Sequence, residues 1–501
     1  MGIKGLLTKP LTTIINKGYV EKAFPPSKKI SKLTPIHKGG DKNSAVLYRP
    51  INQLPEFSKI TERAGLLQVS DFFKRNNVIS QNQFGFKENN STLHPLIMTK
   101  NCIENHLNSK KYVILVCIDL KSAFDTCETK KILPQKLQHY NFSPEATEYT
   151  GSFFKNRKQF INVNNVYSEV KDLKDISVVQ GSSSGPKFFN VLINDLVHNT
   201  SFEPILFADD TNLIMANSDI SELEKQANIE LEKIQAFMQC NKLTLNLKKT
   251  VYLLFTPKSK PKIPITLTLK NGIETIEIEE KSEVKFLGVW IDSALKFQTQ
   301  FNNVISKMRS GLSALYYVKH DLPRHTKKLI FNSLIKPHYE YATCIWASNL
   351  TKGQMKEIIT LQKRALRLIY MQHSKSHTSK LFSISGITRF DHLFIKGTLD
   401  LFHKTDLDLT PIAIKEILDS CKPIENPRQQ YKFNRKIPHN FKSGNLIYKI
   451  VSTWNSLPEY MKQPITGKYQ SKKKIKNYIA SLYDNEKCIK KECYSCNVTT
   501  I

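Results

Sequence analysis

The chain has 501 residues, with 74 Lys and Arg against 44 Asp and Glu, which gives a formal net charge of +30. Hydrophobic residues make up 40% and charged residues 24%, a balance that excludes a wholly disordered chain. The sequence has no apolar run near the roughly 18 residues of a membrane span and no apolar segment typical of a secretion signal. We therefore expect no membrane association, and an intracellular location in cytoplasm and nucleus.

The positive charge indicates a polyanionic partner, of which nucleic acid is the commonest. A chain that is merely rich in Lys, Asn and Ile would show the same excess, so charge alone leaves both interpretations open. The nine cysteines are scattered, which is typical of free intracellular thiols.

The first half of the chain mixes helices with apolar strands. Residues 1–60 contain many prolines and are predicted to form loops and short elements. Helices are predicted around 57–75 and 92–109. The β-branched run 112–118 predicts a buried strand, and 203–216 predicts a hairpin with an Asp/Asn-rich tip.

The second half begins with a helix that Ser221 and Glu224 are predicted to cap. Strand-like segments follow at 243–255 and 284–291, and the pattern is mostly helical and basic from about 297. A tail rich in Pro, Lys and Asn starts near 422. The sequence therefore predicts an α+β fold with basic helical flanks.

Three carboxylates stand at predicted strand ends. Asp119 follows the buried strand, and Asp209 and Asp210 lie at the hairpin tip. If the strands are neighbours, the three acids meet in a self-repelling cluster that would bind Mg²⁺, and two such ions can drive phosphoryl transfer. The alternative is a solvated turn pair and a strand cap, since acids are common at such places.

Eight strings in order carry a family resemblance. Five of them, "CIDLKSAFDT" (117–126), "VVQGSSSGPKFFNVLIND" (178–195), "FADDTNLI" (207–214), "LTLNLKKT" (243–250) and "KFLGVWID" (285–292), resemble the palm motifs of reverse transcriptases. The others, "LTPIHKGGD" (33–41), "YRPINQLPEFSKITER" (48–63) and "SQNQFGFKENNST" (80–92), resemble the fingers motifs of jockey-like non-LTR retrotransposon polymerases. Together with "LIKPHYEYATCIW" (334–346) and "TWNSLP" (453–458), the resemblance covers about 20–460.

This resemblance implies a right-hand polymerase in four parts. The parts are an N-terminal segment with fingers (1–110), a palm on a ferredoxin-like antiparallel sheet (111–292), a helical thumb (293–420) and a basic C-terminal region (421–501), with the whole reverse transcriptase domain at about 20–292. The implied activity is RNA-directed DNA polymerisation, with an RNA template, a DNA primer and deoxynucleoside triphosphates as partners.

The resemblance also assigns roles to residues. Asp119 and Asp209 would bind two Mg²⁺ ions, with Mn²⁺ as a substitute, and Asp210 would complete the acidic cluster. Lys249 would lie near the leaving pyrophosphate, and Phe124 would pack under the incoming sugar.

The remaining assignments concern binding. Gln180 and Gly181 would lie against the nascent base pair and template, and Arg49 and Lys38 would grip the triphosphate. The primer grip would be formed by Phe286, Leu287 and Gly288. For each of these residues an ordinary core, turn or surface role is the alternative.

Some features depart from the family pattern. Val179 replaces a typical proline, and Ser184 and Lys187 replace larger apolar residues; Lys187 would face template phosphate or mark a drifted element. Nothing resembling the family's endonuclease precedes residue 20, and no ribonuclease H is evident, so we expect a truncated element. The alternatives are an inactive nucleic-acid-binding remnant and a related polymerase such as an intron maturase or telomerase.

Cysteines near the C-terminus raise a separate question. Cys488, Cys493 and Cys496 have the spacing of an incomplete zinc site that lacks a fourth ligand. Whether they bind metal is left open by the sequence, as is the oligomeric state.

Overall fold

The structure is a computed structural model that describes residues 3–121, 123–173, 181–271, 274–421, 435–437, 441–463 and 465–483. The strands are β1 Ile30–His37, β2 Tyr48–Gln53, β3 Tyr112–Ile118, β4 Lys158–Val163, β5 Val166–Tyr167, β6 Lys171–Asp172, β7 Glu203–Phe207, β8 Asp210–Asn217, β9 Val251–Phe255, β10 Thr268–Asn271, β11 Glu274–Glu277, β12 Glu279–Glu280, β13 Glu283–Phe286 and β14 Val289–Asp292. The helices are α1 Ile3–Val20, α2 Glu56–Arg75, α3 Leu93–Asn108, α4 Ala123–Thr126, α5 Ile132–His139, α6 Pro144–Phe154, α7 Gly185–Ile193, α8 Ile220–Cys240, α9 Gln298–Tyr317, α10 Arg324–Leu334, α11 Lys336–Glu340, α12 Thr343–Trp346, α13 Lys352–Tyr370, α14 Ser379–Ser385, α15 Phe390–Asp406, α16 Ile412–Ser420, α17 Leu446–Ser456, α18 Glu459–Lys462 and α19 Lys468–Ser481. Short 3₁₀ turns lie at Pro26–Lys28, Ala45–Leu47, Asn194–His198 and Ala347–Asn349.

A five-stranded sheet in the order β12-β9-β3-β8-β7 forms the centre of the fold. Four of these strands, in chain order β3, β7, β8 and β9, pair antiparallel with one another, and β12 adds in parallel to the edge of β9. Their spatial order is therefore fourth, first, third, second, which is the ferredoxin-like arrangement. The predicted α+β class with an antiparallel palm sheet is confirmed.

Both faces of this sheet are covered, which explains why β3 is apolar without alternation. Ile114 and Val116 belong to a core that includes α7 and α8, whereas Val113 and Leu115 belong to a second core with α3 and the C-terminal helices. Asp119 consequently follows directly on a strand that is buried on both faces.

A second sheet carries the basic N-terminal residues. Strands β1 and β2 form an antiparallel hairpin, and β1 pairs in parallel with β4. The β1–β2 loop and β2 hold Lys38 and Arg49, both exposed.

The C-terminal helices form one packed unit on α3. Helix α9 packs on α13, and α15 packs on α17 and α19, with the rings of Phe402 and Trp454 4.4 Å apart between centroids. Lys100 of α3 is only 2% exposed, and its Nζ donates to the Ile345 carbonyl at 2.6 Å. Residues 441–463 and 465–483, from the region named basic on sequence grounds, thus include helices that belong to this unit.

Three local predictions were wrong. Residues 3–20, predicted to form loops and short elements, form a helix. Pro10 costs this helix one backbone hydrogen bond, and packing of Tyr19 on Tyr149, with 5.0 Å between ring centroids, offsets that cost. The cap of α8 is Asp219, whose carboxylate accepts from the Glu222 amide at 2.9 Å, so the Ser221 cap is not formed.

The third concerns 243–255. Only Val251–Phe255 is a strand, because the carbonyl of Asn246 accepts from the amides of Lys249 and Thr250 and closes a tight turn.

Candidate active site

The three predicted carboxylates meet at one end of the central sheet. In the register of β3 and β8, Ile118 pairs with Thr211, which places Asp119 beside Asp210 one step further along. Phe207 pairs with Asp210 across a two-residue turn formed by Ala208 and Asp209. The fold therefore brings Asp119 to the turn that carries the other two acids.

The turn at Ala208 and Asp209 has an unusual backbone that a glutamine clamps. Ala208 has a φ of 58° and is 4% exposed, a conformation that costs a non-glycine residue about 1–2 kcal/mol. The Oε1 of Gln83 accepts from the Ala208 amide at 2.9 Å, and its Nε2 donates to the Ala208 carbonyl at 3.4 Å. The side chain of Gln83 thus hydrogen-bonds to both the amide and the carbonyl of Ala208, the residue before Asp209.

The segment around Gln83 lies along β7 like an additional edge strand. Phe84 donates to the Leu206 carbonyl at 2.8 Å, and the amide of Leu206 donates to Asn82 at 2.8 Å. A Cβ on Gly85 would lie 2.4 Å from the Ala208 nitrogen, so only glycine fits there. The string 80–92 was noted for its family likeness, but its role at the acidic turn was missed.

A neighbouring asparagine orients Asp119. The Nδ2 of Asn246 donates to the Asp119 Oδ2 at 2.7 Å, and the Asn246 amide donates to the Asp119 carbonyl at 2.8 Å. The same turn carries Lys249, which is exposed. Asn246 was also missed, although it lies within a quoted motif.

The electrostatics show that these acids act on one another. Burial and the charge of Asp119 raise the pKa of Asp209, and the charge of Arg49 opposes that rise. Desolvation of the carboxyl group and the charges of Asp209 and Asp119 raise the pKa of Asp210 to about 6. The charge of Arg49, on β2, therefore acts favourably on the ionised form of Asp209.

The cluster has the donor chemistry of a divalent cation site. Three carboxylates that repel one another are stabilised by a hard cation, and oxygen ligands are those that Mg²⁺ prefers. Among the described residues, these carboxylates do not form a set whose ligand oxygens all lie within 4.8 Å of one another, so at least one pair is more widely spaced. The residues fit cation binding by their chemistry and mutual repulsion.

Repulsion in the cluster leads to a pH-dependent stability. A carboxyl group whose folded-state pKa is raised binds its proton more readily in the native state, so it costs stability increasingly as pH rises through the folded pKa. In buffer free of divalent cations, we expect Asp210→Asn to melt higher than the wild type at pH 7, with the difference shrinking towards pH 5. Calorimetry at several pH values measures this, and a pH-independent difference would contradict it.

In the segment predicted to contact the template, Gly181 packs against the backbone of strand β2. Gly181 has a φ of +107°, and a Cβ there would lie 2.2 Å from the carbonyl oxygen of Asn52. Glycine is therefore required at position 181 because the backbone of Asn52 leaves no room for a Cβ atom. Gln180 and Val179 lie outside the described residues.

We expect Gly181→Ala to destabilise the protein more than Gly39→Ala does. Both glycines have a φ of +107°, but nothing lies within 4 Å of a Cβ at Gly39. The difference, about 1–3 kcal/mol in free energy of unfolding, isolates the cost of the contact with Asn52. Urea denaturation of the two variants measures it, and equal values would show that Asn52 simply moves away.

The residues predicted to contact the sugar and the primer lie on different elements of the fold. Phe124 is half-buried on α4, five residues after Asp119, and its ring stacks on that of Phe189 with 5.1 Å between centroids. Leu287 and Gly288 form the turn between β13 and β14, and the hydroxyl of Tyr341 donates to the Leu287 carbonyl at 2.5 Å.

Other sequence-based expectations have these outcomes. Phe286 is buried in the core, 4% exposed. Ser184 donates through its amide and hydroxyl to Glu62, at 2.7 and 2.5 Å, and Lys187 donates to Ser70 of α2 at 2.8 Å. The idea that Lys187 faces template phosphate is thus not supported by its contacts. Cys488, Cys493 and Cys496 lie outside the described residues.

Comparison with known proteins identifies the family. Residues 36–291 match the family model described as "Reverse transcriptase (RNA-dependent DNA polymerase)". The chain belongs to the reverse transcriptase family. No helix in the described part of this reverse transcriptase is long and apolar enough to cross a membrane.

Curated relatives of this reverse transcriptase come from mobile elements. It is 25% identical to a probable RNA-directed DNA polymerase from transposon BS of Drosophila melanogaster, over 69% of this chain and 39% of that one. It is 24% identical to the RNA-directed DNA polymerase of the mobile element jockey from the same fly, over 71% and 39%, respectively. A polyprotein of the type-1 retrotransposable element R1 from Bradysia coprophila is 24% identical over 83% and 41%.

These relatives confirm the resemblance to non-LTR, jockey-like polymerases. The chain spans about two-fifths of the length of these relatives. Among solved structures, an apo telomerase from Candida tropicalis matches with a TM-score of 0.38 and 13% identity, over 76% of this chain and 71% of that one.

Proposed function

We propose that this reverse transcriptase is an RNA-directed DNA polymerase of a non-LTR retrotransposon, working by a two-metal mechanism. The observation that carries the proposal is the meeting of Asp119 with the clamped turn of Asp209 and Asp210. We assign residues up to 110 to an N-terminal segment and fingers, 111–292 to the palm, 293–420 to the thumb and 421–501 to a C-terminal region.

The acidic cluster is the proposed Mg²⁺ site. When bound there, two Mg²⁺ ions, or Mn²⁺ in their place, would supply Lewis-acid stabilisation of the attacking and leaving oxygens. Asp119 and Asp209 would hold the cations, and Asp210 would add negative charge to attract them. Asn246 keeps one oxygen of Asp119 in a fixed direction through its 2.7 Å hydrogen bond.

Basic residues of the β1–β2 hairpin would position the nucleotide. The charge of Arg49 on β2 opposes the rise in the pKa of Asp209, which supports a role for this arginine in binding a triphosphate at that turn, with Lys38 in the loop of the same hairpin. An arginine suits this role because its guanidinium fork matches phosphate oxygens.

The remaining assignments are taken from the family resemblance. Phe124, fixed by its stack on Phe189, would lie under the sugar and exclude a 2′-hydroxyl. Gly181, with Gln180 before it, would line the template side. Leu287 and Gly288 would hold the primer end, in the turn that follows the buried Phe286.

The substrate strands would be held mainly by phosphate contacts. With a net charge of +30, we propose that affinity for an RNA template and DNA primer falls steeply with salt because bound counterions are released. The second candidate, an inactive binding remnant, would share this salt dependence. The two candidates differ only in whether the chain catalyses nucleotide addition.

Primer extension distinguishes the two. The purified chain is incubated with an RNA template, an annealed DNA primer, Mg²⁺ and deoxynucleotides, and ribonucleotides serve as the matched control. We expect template-directed addition of deoxynucleotides alone. Tight RNA binding with no extension in Mg²⁺ or Mn²⁺ would favour the remnant.

Lys249 has a matched control in its neighbour Lys248, since both lysines are exposed in the same turn. We expect Lys249→Gln to lower the rate of single-nucleotide addition about 10-fold, because a cation near the leaving group stabilises its developing charge. Lys248→Gln should stay within about twofold, as is usual for a screened surface charge. Equal effects in rapid-quench kinetics would remove Lys249 from the site.

A further inference from the structure

A group of three metal-ligand side chains lies away from the acidic cluster, between α3 and β7. Cys102 and His106 are four residues apart on α3, so they project from the same face of the helix. Glu203 begins β7 and faces them. Their ligand atoms all lie within 4.8 Å of one another.

The contacts within this group are close and direct. The Nε2 of His106 lies 2.6 Å from Glu203 Oε1, and the thiol of Cys102 donates to Glu203 Oε2 at 3.1 Å. The two carboxylate oxygens are thus shared between the two helix residues. The side chain of Glu203 is 57% exposed and that of His106 25% exposed, so the group is open to solvent on one side.

We propose that Cys102, His106 and Glu203 form a zinc site. Thiolate, imidazole and carboxylate are all ligands of Zn²⁺, whereas the thiol and imidazole disfavour Mg²⁺. Tetrahedral zinc with bonds of 2.0–2.3 Å separates its ligand atoms by about 3.3–3.6 Å. The His106–Glu203 contact of 2.6 Å would open by about 1 Å or less, and no pair of ligand atoms, all within 4.8 Å, would have to close by more than about 1.5 Å. Water from the open side supplies the fourth ligand, and the thiol proton is released to solvent.

Such an ion would join two elements that matter elsewhere in the molecule. Helix α3 also carries Lys100, which holds the C-terminal helices, and β7 leads directly into the turn of Asp209. The zinc site would fasten the start of β7 to α3, at the end of the strand opposite the acidic turn. With water as its fourth ligand the site is open, unlike the four-ligand sites typical of structural zinc, and it does not depend on the proposed polymerase activity.

Cobalt absorption tests the proposal, because only a thiolate ligand gives a sulfur-to-cobalt charge-transfer band. The full chain carries Cys488→Ser, Cys493→Ser and Cys496→Ser to remove the other cysteine cluster, and Mg²⁺ in excess occupies carboxylate sites. We expect Co²⁺ to give this band with saturation at about one equivalent, and Zn²⁺ to abolish it by displacement. Added Cys102→Ser should eliminate the band, whereas Cys240→Ser, at an exposed cysteine, should leave it unchanged.

A second variant guards against misfolding of Cys102→Ser. Glu203→Gln changes a largely exposed side chain, and we expect it to weaken cobalt binding at least about 10-fold while the metal-free protein still unfolds in one cooperative transition. Absence of the band in the parent protein, its survival in Cys102→Ser, or unchanged affinity in Glu203→Gln would each overturn the site. The three side chains would then be a hydrogen-bonded contact only.

Discussion

Asp209→Asn is expected to lower primer extension by at least about 10³-fold while leaving RNA affinity within about twofold. The substitution keeps the size of the side chain but removes the charge that would hold a catalytic cation, and such stabilisation is worth several kcal/mol in the transition state. RNA affinity is maintained because template strands are held by Lys and Arg along the surface. Single-turnover extension and filter binding on the same preparations measure both quantities.

A matched control tests whether the loss of extension depends on the position of the acid or follows from removing any acidic group. Asp408→Asn makes the same chemical change at a side chain that is 76% exposed in the C-terminal unit. It should extend primers at the wild-type rate. If Asp209→Asn keeps more than about a tenth of the wild-type rate, the acidic turn is not the site of the chemistry.

Gly85→Ala is expected to lower the rate of nucleotide addition by about 10²-fold with little change in primer-template affinity. A Cβ at Gly85 would lie 2.4 Å from the Ala208 nitrogen and 3.0 Å from the Phe207 carbonyl carbon, so the turn before Asp209 must shift. A displacement of about 1 Å in catalytic groups costs roughly this factor. Steady-state kinetics should therefore show the loss in kcat, with KM for template-primer nearly constant.

Two comparisons separate this effect from simple destabilisation. Gly151→Ala, in α6, meets nothing within 4 Å and should leave both stability and rate intact. Gln83→Met removes both hydrogen bonds to Ala208 without adding bulk, and we expect it to lower kcat as well, although less than Gly85→Ala. A wild-type kcat in Gly85→Ala with only a lower melting temperature would mean that the clamp supports folding alone.

The sequence was sufficient for the elements that carry strong local patterns. The strand β3 and the helix 57–75 follow from the local sequence pattern and the ferredoxin-like order from the family resemblance, and the structure confirms all three. Asp119 and Asp210 were brought together correctly because both flank strands that pair with fixed register.

What the sequence could not supply depends on contacts between distant residues. Gln83 and Ala208 are 125 positions apart, and nothing in either string shows that one side chain clamps the other. Likewise, no local pattern indicates that the backbone of Asn52 lies against Gly181. The helix at 3–20 was missed because Pro10 was interpreted as a breaker, although packing of the helix offsets one lost hydrogen bond.

Binding of Mn²⁺ to the acidic cluster tests the central claim most directly. Electron paramagnetic resonance measures the free ion while the chain is titrated, with Asp119→Asn compared with the wild type. We expect the wild type to bind Mn²⁺ and the variant to bind it at least about 10-fold more weakly, because one carboxylate ligand is lost. Equal binding by the two proteins would show that Asp119 and the turn at Asp209 do not form one cation site.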